Sequence, residues 1–141
     1  MKPSDVVFDD NIKNRDKFGI YLKNRRIELD LSLRDFAKMI NVSPTYISDI
    51  ENGNRLAPIN YIKETINILQ IEKSEIDYFY DLVGCSHSNW IDINDYLSKN
   101  PNARRALRLA RDKNISDANL YKLIMNMINS SRQIEDENER F

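Results

Sequence analysis

The stretch SLRDFAKMINVSPTYISDIENG, from Ser32 to Gly53, constrains this chain more than any other part of it. It holds two helix starts with only a tight turn between them. Ser32 is placed to cap a helix, with Asp35 three positions on in a box-like arrangement. Phe36, Ala37 and Ile40 then give a short apolar stripe, and Asn41-Val42 supplies the turn. Ser43-Pro44 restarts the chain as cap and first helical residue, where the missing proline N–H removes no hydrogen bond. Tyr46, Ile47 and Ile50 continue the inward face up to Gly53, a stop signal.

The flanks read as helices too. Phe18, Tyr21, Leu22, Arg25 and Leu29 recur at helical spacing from about Asp16 to Asp30. A fourth helix is expected from Asn60, with Ile62, Ile66 and Leu69 inward. A fifth, capped by Ser74 with Asp77, is expected to run to about Val83. Gly84 to Asn89 is polar, begins with glycine and reads as a boundary. Beyond it, Ile93–Ser98 closes at Asn100-Pro101, and Asn102 and Ser116 are placed to cap two further helices. No strand-like alternation of useful length occurs. The expected class is all-α, with an arm over residues 1–14, a helical bundle over 15–84, a helical C-terminal region over 85–130 and a frayed tail over 131–141.

Composition narrows the function. In 141 residues there is no run near the roughly 18 apolar residues that a membrane span requires. The opening MKPSDVVFDD is too acidic and polar for a signal peptide, so a cytoplasmic location and no membrane partner are expected. The net charge of -1 argues against non-specific coating of nucleic acid. Residues 12–55 nevertheless hold nine Lys/Arg against six Asp/Glu, whereas 56–141 hold eleven against thirteen. The basic surplus falls on the segment with the double helix start.

Cys85 and His87 stand alone of their kinds and offer no metal-ligand spacing. With three glycines there is no phosphate-binding loop, and no acid–base or nucleophilic constellation occurs. No catalytic residue, metal or cofactor is expected.

Two helices joined by a tight turn can present polar side chains to the DNA major groove if the second helix leads with outward polar residues. Thr45, Ser48 and Asp49 meet that need, and Ser43 with the amides at that helix start suits a phosphate. The segment from Gly19 to about Pro58 resembles the Cro/C1-type (XRE family) helix-turn-helix domain of phage repressors and many bacterial regulators. The resemblance is carried by Leu22, Arg25-Arg26, Ser32-Leu33, Phe36-Ala37, Val42-Ser43, Tyr46-Ile47-Ser48 and the run Ile50-Glu51-Asn52-Gly53.

It implies a five-helix, lambda-repressor-like bundle whose third helix enters the major groove. Leu33, Pro44, Thr45, Ser48 and Asp49 then take the base-facing positions. Asn52 and Arg55 fall at the DNA backbone, joined by Arg25, Arg34 and Ser43, while Arg26 and Glu51 match a structural ion pair. Many relatives carry glutamine where Leu33 and Pro44 stand, so base discrimination is expected to rest on Thr45 and Ser48, helped by DNA shape. Arg104, Arg108 and Arg111 share a helix face and read as solvated or salt-bridged rather than as a second DNA patch. The expected partners are double-stranded DNA and a second copy, the C-terminal helices serving dimerisation or a protein or ligand partner. An antitoxin-type autorepressor and a protein-interaction adaptor without DNA binding are the alternatives to a dimeric repressor.

Overall fold

A computed structural model describes residues 14–139, so nearly all of the expected N-terminal arm lies outside the described residues. Every regular element among them is helical. The chain divides into two compact units, 1–94 and 95–141.

The first unit contains α1 (Asn14–Glu28), α2 (Leu33–Met39), α3 (Pro44–Glu51), α4 (Ile62–Ile68) and α5 (Ile76–His87). Its core takes Phe18, Tyr21 and Leu22 from α1, Phe36 and Ala37 from α2, Ile47 and Ile50 from α3, and Phe79 and Val83 from α5. The Phe79 ring meets Phe18 and Tyr21 edge-on, at centroid distances of 5.7 and 5.8 Å. Gly19 lies where α1 crosses the end of α3; a Cβ there would run into the backbone carbonyls of Ile50 and Glu51. Close approach of the two backbones thus excludes any side chain at this position.

A buried ion pair ties the same two helices. Arg26 Nε and Nη2 donate to the two Glu51 carboxylate oxygens at 2.6 and 3.0 Å, and Nη1 donates to the Leu31 carbonyl at 2.7 Å. The two side chains are 9% and 4% exposed. The hydrogen bond from Glu51 raises the Arg26 pKa above its ordinary value, against the opposing effect of burial.

Helix ends follow one rule with little help from glycine. Asp30, Asn41, Gln70 and Asn114 take left-handed φ values of 55°, 57°, 51° and 54°. The amide after each returns to the carbonyl five positions before it: Leu31 to Arg26, Val42 to Ala37, Ile71 to Ile66 and Ile115 to Ala110. This is the Schellman arrangement, in which a polar residue tolerates the left-handed turn and the next, apolar one folds back on the helix. Leu31, Val42 and Ile71 are packed against the core.

Four sequence expectations need correction. Ser74 does not cap α5; a 3-10 turn, Lys73–Glu75, precedes that helix, and its N-cap position carries no side-chain bond. Gly84–Asn89 is not simply a polar break, because α5 continues to His87 before Ser88 turns left-handed. Two polar side chains there have partners in the first unit: Ser86 Oγ accepts the Ala57 amide at 3.1 Å, and His87 Nε2 donates to the Ala57 carbonyl at 2.7 Å. Asn102 is no cap, since Pro101 already opens α7. The tail from residue 131 continues as helix to Glu139.

The second unit holds the end of α6 (Ile91–Lys99), then α7 (Pro101–Asp112) and α8 (Asp117–Glu139). Arg104 Nη1 donates to the Leu97 and Ser98 carbonyls, closing the end of α6. Ser116 Oγ accepts the Asn119 amide at 3.2 Å and so caps α8. These helices make few contacts with one another, and among described residues 95–139 Ala110 alone is buried. No described helix is long and apolar enough to cross a membrane.

Removing one member of the buried pair leaves a charge without its counter-ion. Glu51→Ala should lower the unfolding free energy by about 3–5 kcal/mol, read by urea denaturation. The double variant Arg26→Met/Glu51→Leu should recover most of that loss; if it is no more stable than Glu51→Ala, uncompensated charge is not the cause.

Candidate nucleic-acid interface

The turn between α2 and α3 needs three residues, Ile40 to Val42, because the Schellman bonds end α2 abruptly. Ser43 then caps α3, its Oγ accepting the Tyr46 amide at 3.1 Å, and Pro44 takes the first helical position. Ile47 and Ile50 point into the core, so residues 44, 45, 48 and 49 are left to the outer side of α3. Pro44 and Thr45 are exposed; Ser48 and Asp49 are half-buried.

The chemistry of that face is set by neighbours. Asn52 Nδ2 donates to Ser48 Oγ at 3.3 Å, which occupies an acceptor lone pair and leaves the hydroxyl hydrogen for an outside acceptor. The Asp49 carbonyl accepts both the Asn54 and Arg55 amides, at 2.8 and 3.1 Å, folding the chain back after α3. Gly53 makes this reversal with φ at 74°. The Arg55 side chain turns to Tyr46, with its guanidinium carbon 4.9 Å from the ring centroid. Tyr61 stands edge-on to the same ring at 6.3 Å. Burial is the main cause pushing the Tyr46 phenol above its ordinary pKa, with Arg55 opposing it.

The remaining expected residues divide. Arg34 is exposed on α2, while Leu33 is half-buried and packed against the core, so only part of its side chain faces outward. Arg25 engages its guanidinium with the protein's own acceptors at the surface: Nε donates to the Leu69 carbonyl at 2.9 Å, Nη2 to the Gln70 carbonyl at 3.2 Å, and Nη1 pairs with Glu28 at 2.9 Å. It closes the end of α4. Arg26 and Glu51 lie beneath the interface, on α1 and at the last position of α3.

The family model described as Helix-turn-helix matches residues 22–76, spanning the end of α1 to the start of α5. That model is of the XRE, Cro/C1-type helix-turn-helix, and the match covers less than half of the chain. The family is one of DNA-binding transcriptional regulators, and the helix-turn-helix here is α2 and α3. No curated protein and no solved structure matches the chain.

Sequence reasoning missed the Tyr46–Arg55 stack, since the helical period alone placed Tyr46 on the inward face. The nine-residue separation of an aromatic and a cation across a glycine-bearing turn was the available signal. If the ring orients Arg55 toward a phosphate, Arg55→Ala should weaken binding to all duplexes alike and reduce the salt slope by about one unit. Tyr46→Leu should weaken binding in the same sequence-independent way with the salt slope unchanged. Titrations of labelled duplex over a range of salt concentrations measure both; a Tyr46→Leu protein that binds as tightly as the parent contradicts the positioning role.

Proposed function

We propose that the chain is a sequence-specific transcriptional regulator that binds as a dimer and places α3 in the major groove of a palindromic operator. The observation that carries this reading is the outer face of α3. It leads with exposed Pro44 and Thr45, carries the Ser48 hydroxyl with its hydrogen left for an outside acceptor, and is flanked by the exposed arginines Arg34 and Arg55.

Roles follow from chemistry. Thr45 and Ser48 are the principal base readers, with Ser48 donating to a purine N7, guanine O6 or thymine O4. Asp49 accepts from a cytosine amino group, and Pro44 with the exposed part of Leu33 gives apolar contact to a thymine methyl. Arg34, Ser43, Asn52 and Arg55 take the phosphates and fix the register. Ser43 already binds the Tyr46 amide, so the Thr45 amide at the helix start is the backbone donor for a phosphate. Arg25, engaged with Leu69, Gln70 and Glu28, serves the fold.

A few hydroxyl contacts give a weak half-site. Two copies reading half-sites one helical turn apart, roughly 34 Å, multiply that affinity through effective concentration. Occupation of the operator by such a dimer blocks access to it, so repression is the proposed outcome. The exposed apolar residues of α8 favour a second reading for that part alone, in which an antitoxin-type regulator holds a partner protein there.

Selection from random duplexes followed by titration tests the proposal. A symmetric operator should emerge, and the variant Thr45→Ala/Ser48→Ala should lose about tenfold or more of its preference over random DNA. Its non-specific binding should be unchanged. A parent protein with no preference over random duplex at physiological salt would falsify the regulator reading.

A further inference from the structure

Among its described residues the second unit has helices but a single buried side chain, Ala110. Helix α8 has 23 residues, a length of about 35 Å. Helices in proteins draw most of their stability from packing an apolar face. Here Met127 and Ile134 remain 60% and 61% exposed, and Ile115, the apolar residue that ends the α7 Schellman turn, has no buried place to fold into. Leu120, Met127 and Ile134 recur every seven residues, with Leu123, Ile124 and Ile128 in the turns between. The stripe therefore runs along one side of the helix for most of its length, in the pattern of a helix–helix seam. A contiguous exposed face of this extent marks a contact surface.

We infer that a second copy of this chain covers it, through two α8 helices packed antiparallel about a two-fold axis near Met127. This rests on the dimeric reading above and gives that dimer its interface. Charge decides both occupant and direction. The C-terminal end of α8 carries Glu135, Asp136 and Glu139 against one basic residue, Arg132, and both Arg132 and Glu135 border the groove formed by Ile124, Met127, Ile128 and Ser131. Helix α7 is the opposite, with four arginines against Asp112; Arg111 Nε donates to that carboxylate at 2.9 Å on the exposed surface, which leaves the rest of its guanidinium and all of Arg108 open.

The short connection 113–116 keeps the C-terminal end of α7, with Arg108 and Arg111, beside the N-terminal end of α8. Parallel pairing would bring two acidic ends together, where the helix dipoles also add negative charge. Antiparallel pairing carries each acidic end to the partner's Arg108 and Arg111. A purely acidic or purely basic partner answers one end of this surface; a second copy answers both, as an isologous contact requires. Arg104 is held by the α6 carbonyls and stands outside the exchange.

Charge reversal in the full chain tests the inference by sedimentation without DNA. The variants Glu135→Arg/Asp136→Arg and Arg108→Glu/Arg111→Glu should each self-associate at least tenfold more weakly than the parent. An equimolar mixture of the two should regain parent-like dimerisation as a mixed dimer, which also shows that both variants fold. A monomeric parent, a variant that dimerises like the parent, or a mixture that stays monomeric overturns the interface. Duplex binding is measured separately. Both variants keep α3 and should bind a single half-site as the parent does, while losing the advantage of paired half-sites. A parent that dimerises through these helices yet prefers no duplex would sink the regulator reading and leave the interface standing.

Discussion

Two N–H···O bonds from Arg26 to Glu51, with a third from Arg26 to the Leu31 carbonyl, join α1, the turn before α2, and the last residue of α3. Apolar packing of Ile47 and Ile50 keeps α3 against the bundle, but such packing tolerates small rotations of a helix about its axis. A planar guanidinium held by both carboxylate oxygens does not. For a recognition helix, rotation is the variable that matters, since 100° separates successive side chains on an ideal helix. A buried ion pair is a weak source of net stability, because the interaction must offset desolvation of both charges. Its value here is geometric: with Gly19 allowing the backbones of α1 and α3 to meet closely, it sets which residues of α3 face out.

The same economy of glycine shapes the rest of the first unit. A chain with three glycines must end most of its helices with other residues, and it does so with Asp30, Asn41 and Gln70 in the left-handed region. Each is followed by an apolar residue that returns to the core, so the turn and the packing stabilise one another. Between α2 and α3 this matters most. The Asn41-Val42 turn stops α2 at Met39 and lets Ser43 open α3 at once, which keeps the connection between the two helices short.

Much of this was legible in the sequence because it is local. Ser32, Ser43 and Ser116 cap the helices that their spacing announces, and the apolar stripes of α1 to α3 fall on the core. The all-helical class followed from that periodicity, and the Ser32–Gly53 pattern lies within the residues that match the helix-turn-helix family model. What escaped was set by distant partners. Arg25 looked like a surface or phosphate-facing cation, yet its acceptors lie 44 and 45 residues away, at the end of α4. Ser86 and His87 sat in a stretch with every mark of a linker, and only a contact with Ala57, 29 and 30 residues back, makes them part of the first unit's fold. Ser74 has the residue type of a cap, but the 3-10 turn at Lys73–Glu75 starts the chain's rotation before a side-chain cap is required. Local chemistry gives candidates; which of them is used depends on what the fold brings near.

The two units also differ in what they leave unsatisfied. In the first, apolar side chains are gathered inside and the outer face of α3 remains polar. In the second, the order is reversed, with large apolar residues exposed along α8 and charges of opposite sign segregated onto α7 and the end of α8. That contrast removes the apparent conflict between a net charge of -1 and DNA binding. In the dimer proposed above, charges that pair between copies would contribute little to the field beyond the contact, because each arginine row would lie beside an acidic end within a Debye length, about 8 Å at physiological salt. The surplus of nine basic against six acidic residues over 12–55 would then act on DNA with little opposition from the acidic helix end. Net charge alone is thus a poor guide to the partners of a chain whose charges are sorted by segment.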